Sequence, residues 1–270
     1  MAARPHPLDR AVTELLRQVA DDLVMPYFRN LGAADIAEKS PGDLVTKADQ
    51  LSEEALHQGL AKLLPDAVVV GEEACESDPS LKAQAGAPQA WIIDPIDGTG
   101  NYAAGNTPFG MIVALAENNR TIAGWIYDPV RKRICHAHYR AGAFIDSEQV
   151  RISSNLPERP NAALAMRYMT EQQREKALAI AEEHYELMPI PNCSAEQYLL
   201  LVQRQHHLTI FERTLPWDHA AGVLFLNEAG GKAARWDGSE YRPGDDRKGM
   251  LGASNPAIWE QAVELFERGL

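Results

Sequence analysis

The sequence is poor in cysteine, and its cysteines are not spaced for cross-linking. Cys75, Cys135 and Cys193 are the only ones in 270 residues. Their number is odd, they are widely separated, and none belongs to a C-x-x-C pair. This pattern indicates neither a zinc site nor a disulfide scaffold, and it is typical of a protein from a reducing compartment.

Long apolar runs are also missing. The longest fall well short of the roughly 20 residues that a membrane-spanning helix needs. The first residues, Met1–Pro7, lead into a charged helical pattern without an apolar signal region. We therefore expect a cytoplasmic protein with no membrane partner.

Basic residues are scarce relative to acidic ones. The chain has 26 Lys and Arg against 38 Asp and Glu, a net charge of −12. Such a balance argues against binding along a phosphate backbone, so we expect no direct nucleic-acid contact. An anionic substrate would need positive charge placed locally, for example by metal ions.

Several familiar motifs are absent or incomplete. There is no P-loop, no H-E-x-x-H and no G-x-S-x-G. The Gly98-Thr-Gly100 stretch lacks the third glycine of a dinucleotide fingerprint, and Gly105 stands where a calcium loop needs a bidentate Glu. The histidines are scattered; His136 and His138 share one strand face, where ordinary packing or surface roles are expected.

What the chain does have is an apolar strand that runs into two carboxylates. Trp91-Ile-Ile-Asp94-Pro-Ile-Asp97 is followed directly by a Gly-Thr-Gly turn. Buried carboxylates are costly unless something positive neutralises them. Because no Lys or Arg lies between Lys82 and Arg120, the local sequence supplies no counter-charge. A bound hard cation is the leading interpretation.

Periodicity predicts two halves of different organisation. Residues 1–152 form an α+β half, and residues 153–270 form an α/β half in which strands and helices alternate. The expected helices cover 8–28, 46–63, 170–185, 194–206, 216–229 and 257–268. The expected strands cover 67–71, 90–93, a meander from 110 to 146, 162–166, 187–190, 208–213, 232–236 and 250–253; 38–43 is expected to be a turn and 76–88 a loop.

Oxygen ligands recur at other strand ends and helix starts. Glu72 follows the strand over 67–71, and Asp218 falls in the first turn of the helix that starts at Pro216. Oxygen-only ligands favour Mg²⁺, Mn²⁺ or Ca²⁺. Taken singly, these acids are also common as helix caps, turn formers or first-turn residues. Their joint occurrence predicts a metal site suited to phosphoryl transfer, with a purely structural calcium site as an alternative.

These motifs together resemble the inositol monophosphatase family. The matching stretches are Asp43-Leu-Val-Thr46-x-Ala-Asp49, Gly71-Glu72-Glu73, Asp94-Pro-Ile-Asp97-Gly-Thr99-Gly-Asn101-Tyr102, and Trp217-Asp218-x-Ala-Ala-Gly222 with Glu228-Ala-Gly-Gly231. The resemblance implies a layered αβαβα sandwich and a phosphoric monoester hydrolase. It also implies roughly two or three Mg²⁺ ions, a homodimer and sensitivity to lithium.

The resemblance also implies roles for individual residues. Thr99, with Asp49 and Glu72, would orient and deprotonate the attacking water, without a phosphoenzyme. The Gly98 and Thr99 amides would receive the phosphate. The metal ligands that it implies are Glu72, Asp94, the Ile96 carbonyl, Asp97 and Asp218.

The sequence departs from the family where the substrate is selected. Inositol-preferring members carry an acid about seven positions before the last metal-binding aspartate, whereas Glu212 is six before Asp218. Ala195, Glu196 and Arg213 are the other predicted substrate contacts. An inositol-1-phosphate-like monoester is the first expectation; fructose 1,6-bisphosphate, histidinol phosphate and adenosine 3′,5′-bisphosphate stay open. A non-catalytic partner of an RNA or transcription assembly is the alternative from another class.

Overall fold

A computed structural model describes residues 5–267, in which helices and sheets alternate in layers. The α-helices of this part of the chain are α1 (Asp9–Val19), α2 (Lys47–Leu63), α3 (Glu72–Ser77), α4 (Thr99–Ala103), α5 (Glu171–His184), α6 (Ser194–Val202), α7 (Pro216–Glu228) and α8 (Pro256–Glu267). Over the same residues, no helix combines the length and apolarity needed to cross a membrane.

The larger sheet has seven strands in sequence order. After a two-stranded hairpin of β1 (Ile36–Ser40) and β2 (Asp43–Thr46), it contains β3 (Val68–Gly71), β4 (Gln89–Asp97), β5 (Gly110–Glu117), β6 (Arg120–Asp128), β7 (Arg133–His138), β8 (Gly142–Ile145) and β9 (Glu148–Val150). Only the β3–β4 pair is parallel. The predicted meander over 110–146 is confirmed.

A five-stranded mixed sheet follows. Its strands are β10 (Asn161–Ala165), β11 (Glu186–Leu187), β12 (Leu208–Phe211), β13 (Lys232–Ala234) and β14 (Met250–Ala253), in the order β11-β10-β12-β14-β13. β10 is parallel to β11 and β12, and β14 is antiparallel to both of its neighbours.

Three hydrophobic cores hold the layers together. One lies between α1, α2 and one face of the seven-stranded sheet. A second joins the other face of that sheet to α6 and α7 and reaches the five-stranded sheet. The third packs α5 and α8 against the five-stranded sheet. The predicted αβαβα sandwich is therefore confirmed, while the division into domains 1–152 and 153–270 stays a prediction.

Some predicted elements were wrong in extent or type. The helix expected over 8–28 ends as α1 at Val19 and continues as a π-helical turn over Ala20–Val24, an offset that apolar spacing does not reveal. The expected turn over 38–43 is the tip of the β1–β2 hairpin. The expected loop over 76–88 contains a 3₁₀ segment, Pro79–Gly86, whose cap is the Asp78 side chain.

Strand pairing brings the acidic residues to one edge of the seven-stranded sheet. Gly71, at the end of β3, lies opposite Ile93 in β4. Because the two strands are parallel, Glu72 and Asp94 emerge side by side. β4 continues past the predicted end at 93 to Asp97, with a register shift between Asp94 and Asp97. This shift changes the direction of the backbone at the point where the two aspartates leave the sheet.

Candidate active site

A cavity of about 450 Å³ lies at this edge. It contains most of the predicted site residues: Glu72, Asp94, Ile96, Asp97, Gly98, Thr99, Glu212, Arg213 and Asp218. Gly42, Asp43, Asn101, Arg167, Tyr168, Asn192, Cys193, Ser194, Gln197 and His219 also line it. A cavity of this size accommodates a small metabolite.

Three aspartates form the most compact acidic group of the cavity. Asp94, Asp97 and Asp218 each present a carboxylate oxygen within 4.8 Å of the others. Asp94 is 1% exposed, and its Oδ1 has no hydrogen-bond partner in the described structure. Burial, and then the charges of neighbouring carboxylates, raise the pKa of Asp94 well above its usual range. An unpartnered buried carboxylate oxygen in an all-oxygen group fits a hard divalent cation.

Asp97 is held by the start of α6. Its Oδ2 accepts hydrogen bonds from the Ala195 N–H at 2.7 Å and from the Cys193 thiol at 3.0 Å. These bonds orient the carboxylate, although burial still raises the pKa of Asp97. The Cys193 contact was not predicted from the sequence, because the two residues are 96 positions apart. It gives one of the free cysteines a place beside the acidic group.

Asp218 lies in the first turn of α7, as predicted. Pro216 occupies the start of this helix, where its missing N–H leaves no gap in the hydrogen-bond ladder. The guanidinium of Arg213 approaches Asp218 to 3.8 Å, and it stacks 4.0 Å above the ring of Tyr168. Burial raises the pKa of Asp218 despite the charge of Arg213. The arginine therefore does not neutralise the group.

Glu72 has a different environment. Its Oε1 pairs with Lys39 Nζ at 2.9 Å, and the same ammonium lies 2.7 Å from Glu73. Lys39 is only 5% exposed and comes from β1. Lys39 lies 33 positions from Glu72, so the local sequence does not reveal this ion pair. The prediction that no local counter-charge is present concerned Asp94 and Asp97. For Asp94, the main influences on the pKa are burial and neighbouring carboxylates, and none of them is a cation.

Thr99 joins the acidic group to the Asp49 side chain. Its hydroxyl lies 2.8 Å from the Ile96 carbonyl oxygen and 3.3 Å from Asp49 Oδ1. Asp49 belongs to the capping box of α2, in which its Oδ2 accepts from the Thr46 N–H at 2.8 Å. Burial raises the pKa of Asp49 to about 6. The predicted pair Thr99–Asp49 is therefore in contact.

Gly98 permits the tight turn between β4 and α4. Its φ of +84° is costly for residues with a side chain. A Cβ here would also lie 3.1 Å from the Pro108 carbonyl oxygen and 3.2 Å from Cys193 Cβ. The glycine lets the main chain of Gly98 and Thr99 reach the cavity wall.

The predicted substrate contacts divide into two sets. Glu212 and Arg213 line the cavity, but Ala195 and Glu196 do not. The Ala195 N–H is bound to Asp97, and Glu196 forms an ion pair with Arg133 at 3.1 Å. The helix start around 192–197 does reach the cavity, through Asn192, Cys193, Ser194 and Gln197.

Other lining residues were not predicted from the sequence. Arg167 and Tyr168 follow β10, and Arg167 is fixed by donating to the Gly42 carbonyl at 2.6 Å. His219 is buried beside Asp218, and burial lowers its pKa to about 3, so the ring is neutral. Its Nε2–H donates to the Arg213 carbonyl at 3.1 Å, which positions the backbone of that residue. Strand-end position is the one feature that could have suggested Arg167.

The sequence matches a known protein family over nearly its whole length. A profile described as the inositol monophosphatase family matches residues 5–268. The chain is 28% identical over 230 residues to a fructose-1,6-bisphosphatase/inositol-1-monophosphatase from Thermotoga maritima, covering 84% of each sequence. It is 30% identical over 234 residues to the Nus factor SuhB of Pasteurella multocida, covering 85% of this chain and 84% of that protein.

The fold has a solved counterpart. The crystal structure of the extragenic suppressor protein suhB from Bartonella henselae superposes with a TM-score of 0.83. The match covers 98% of this chain and 100% of that one, at 22% identity. At this identity the likeness establishes the shared architecture.

Proposed function

Since the chain belongs to the inositol monophosphatase family of phosphoric monoester hydrolases, we propose that it hydrolyses a small phosphate monoester with Mg²⁺ at its three clustered aspartates. The unpartnered Oδ1 of Asp94, in a group of three carboxylates at the cavity wall, carries the proposal. Burial raises the pKa of these carboxylates and so favours their protonated form. Bound cations would keep them ionised.

Asp94, Asp97 and Asp218 would hold the ions, with Glu72 and the Ile96 carbonyl as further ligands. Roughly two or three Mg²⁺ would fit the proposal; when bound, they polarise the phosphoryl group and make water a better nucleophile. The Ile96 carbonyl already accepts the Thr99 hydroxyl, and its second lone pair is left for a cation. Glu72 would have to share its charge with Lys39.

Thr99 and Asp49 supply the proton acceptor. The Thr99 O–H, directed at the Ile96 carbonyl oxygen at 2.8 Å, would rotate toward Asp49 Oδ1, 3.3 Å away, pass its proton there and take one from the attacking water at Oγ1. A carboxylate with a pKa of about 6 is ionised at pH 7 and still basic enough for this task. The Gly98 and Thr99 amides would hold the phosphate oxygens. No side chain needs to form a phosphoenzyme in this scheme.

Two arginines at the cavity bear on the choice of substrate. Arg213 and Arg167 both line the cavity and both lie over the ring of Tyr168, at 4.0 and 5.5 Å. Glu212, beside them, can accept hydrogen bonds from sugar or inositol hydroxyls. We propose an inositol-1-phosphate-like monoester as substrate. Fructose 1,6-bisphosphate and adenosine 3′,5′-bisphosphate are alternatives, since the arginines suit a second anionic group. Histidinol phosphate is a third alternative, to which this argument does not apply.

Phosphate release from this panel of four compounds tests the proposal. We expect Mg²⁺-dependent release from at least one of them, abolished by EDTA and reduced by about 1,000-fold or more in Asp94→Asn. Asp246→Asn, an exposed residue paired with Lys82, is the matched control and should keep full activity. Absence of release from every compound, or equal activity in Asp94→Asn, would refute the proposal.

The similarity to a Nus factor supports a second candidate, a partner role in a transcription assembly. The net charge of −12 favours contact through protein rather than nucleic acid. Asp94→Asn separates the two roles, because it should abolish hydrolysis and leave a surface interaction intact. A cytoplasmic location and a homodimer are further parts of the proposal; analytical ultracentrifugation tests the second.

A further inference from the structure

Away from the cavity, three metal-ligating side chains converge beneath the start of α1. Asp9 Oδ1 lies 2.9 Å from His136 Nδ1 and 3.2 Å from His138 Nε2. The two ring nitrogens are themselves 3.0 Å apart. The sequence suggested ordinary packing for the two histidines because Asp9 is more than 120 positions away and shows no spacing that links it to them.

The His136 ring is oriented by the contact on its other side. Its Nε2 lies 3.0 Å from the Asp146 carbonyl oxygen, which can only accept a hydrogen bond. Nε2 must therefore carry a proton, and Nδ1 faces the Asp9 carboxylate. The 2.9 Å between Nδ1 and Asp9 Oδ1 is bridged either by a proton on Nδ1, as in an ordinary hydrogen bond, or by a metal cation that both atoms bind.

The three atoms suit a first-row transition metal. Zn²⁺ binds imidazole nitrogen and carboxylate oxygen at about 2.0–2.1 Å. For ligand atoms separated by 2.9, 3.0 and 3.2 Å, such distances correspond to ligand–metal–ligand angles of roughly 90–100°. This is a facial arrangement of two histidines and one carboxylate, which leaves coordination positions open for water.

Surrounding groups give the cluster the support expected of a metal site. The Trp125 indole donates to Asp9 Oδ1 at 2.8 Å, and Phe144 stacks on His136 with ring centroids 5.1 Å apart. For His136, the Asp146 carbonyl behind the ring is the usual supporting contact of a ligating histidine, whereas His138 Nδ1 has no hydrogen-bond partner in the described structure. His136 and His138 are 8% and 3% exposed, but Asp9 is 21% exposed, so an ion can enter from the Asp9 side.

We propose that Asp9, His136 and His138 form a second metal site, for a divalent first-row transition metal, with Zn²⁺ as its probe. Nitrogen ligands distinguish it from the oxygen-only cavity, which favours Mg²⁺. The ion would link Asp9, the first residue of α1, to β7. Val12 and Leu16 of the same helix are buried. The site is independent of the proposed catalysis. A proton shared among the same atoms is the competing occupant.

Zinc binding to metal-stripped protein at pH 7 tests the proposal. The parent for all variants is Asp94→Asn/Asp218→Asn, which removes the acidic group of the cavity as a competing zinc site. Calorimetry should show one equivalent of Zn²⁺ bound to this parent, and an affinity lower by about 100-fold or more after His138→Gln. His57→Gln, which removes an exposed histidine of α2, should bind zinc like the parent.

Two results would overturn the proposal: a parent that binds no zinc, or a His138→Gln variant that binds it equally well. A second measurement covers the case in which His138→Gln does not fold. In ¹⁵N NMR of the parent, zinc should shift His136 Nδ1 and His138 Nε2 among the imidazole nitrogens. Unchanged resonances at both atoms would mean that a proton, not a metal, occupies the cluster.

Discussion

At the scale of single residues, the cavity is a concentration of charge that folding alone does not favour. Burial raises the pKa of Asp94, Asp97 and Asp218 together. Binding of a proton or a cation would stabilise each of these carboxylates. Sites that bind metal tightly commonly have this property, because the free energy lost in assembling the ligands is recovered when the ion binds.

Asp218→Asn separates binding from folding. We expect kcat to fall by about 1,000-fold or more, because one proposed metal ligand is lost. The Tm in metal-free buffer should stay equal or rise, since one of several crowded like charges is removed. Turnover assays and thermal melts check both. Near-normal turnover would refute the role of Asp218, and Asp246→Asn serves as control because its carboxylate is 90% exposed.

Glu212 and Arg213 should change substrate preference in opposite directions. Arg213→Ala should lower kcat/KM for a bisphosphate about 10-fold more than for a monophosphate, because a charge-assisted contact to the second phosphate is lost. Glu212→Gln should instead weaken hydroxyl-rich monophosphates more. Ratios of kcat/KM measured across the substrate panel decide this. An unchanged ratio in both variants would remove these residues from substrate selection.

The three aspartates could be predicted from the sequence, whereas their surroundings could not. Asp94 and Asp97 stand at the end of an apolar run, and Asp218 stands at a helix start, so local pattern identifies them. Lys39 and Cys193 meet their partners only through tertiary packing, across 33 and 96 positions. Neither pairing follows from periodicity or from residue spacing, so no local rule could have found it.

At the scale of elements, the junction of β3 and α3 delivers Glu72 to the cavity. The Glu53 carboxylate caps α3 by accepting from the Glu73 and Ala74 amides, both at 2.8 Å. It passes so close to Gly71 that a Cβ there would lie 2.3 Å from the carboxylate carbon. The glycine of the G-E-E motif is therefore required by the approach of this cap.

Gly71→Ala should displace that cap. We expect a loss of about 1–3 kcal/mol in the free energy of unfolding, from overpacking and from buried amides left without an acceptor. Activity should fall as well, because Glu72 is the next residue. Urea denaturation measures the first effect. Gly100→Ala is the matched control, since a Cβ there would meet nothing within 4 Å; equal stabilities of the two variants would contradict the account.

Elements with local signals were predicted well. The β5–β6 hairpin turns at Asn118-Asn119, which adopt φ values of +48° and +62°, and asparagine tolerates this conformation. The strand expected over 187–190 is only Glu186–Leu187 in the structure, a parallel edge strand. Its pairing with β10 is set by tertiary context, which apolar spacing does not report.

At the scale of the whole molecule, the net charge of −12 coincides with several carboxylates of raised pKa. Burial raises the pKa of Glu73 to about 8 even though Lys39 opposes the shift. Between pH 6.5 and 8, the metal-free folded state therefore binds more protons than the unfolded chain. Stability must fall as pH rises through this range. Buried histidines such as His219 act oppositely, but only below about pH 6.5.

Metal-free protein should accordingly lose roughly 1–2 kcal/mol of stability between pH 6.5 and pH 8. Adding Mg²⁺ at pH 8 should raise the stability again, because the cation binds the clustered aspartates in the folded state and not in the unfolded chain. Chemical denaturation at both pH values, with EDTA or with Mg²⁺, measures this. A metal-free stability that rises over the same range would contradict the assigned pKa directions.

The proposed division at residue 152 would place Asp218 in one half and Asp94 in the other. The hydrophobic core that joins the seven-stranded sheet to α7 sets the distance between them. Sequence could indicate the two halves but not how closely they pack, because that depends on interdigitation of side chains across the layers. The three aspartates therefore come together only when the layers of the fold pack against each other.

Anomalous diffraction from crystals soaked with Mn²⁺ and inorganic phosphate tests the central claim most directly. We predict at least one Mn²⁺ peak in contact with Asp94 and with Asp97 or Asp218, and phosphate density beside the Gly98 and Thr99 amides. Manganese is suitable because it shares the preference of Mg²⁺ for oxygen ligands. Crystals in which Mn²⁺ leaves these three aspartates unoccupied would contradict the claim that they hold the catalytic ions.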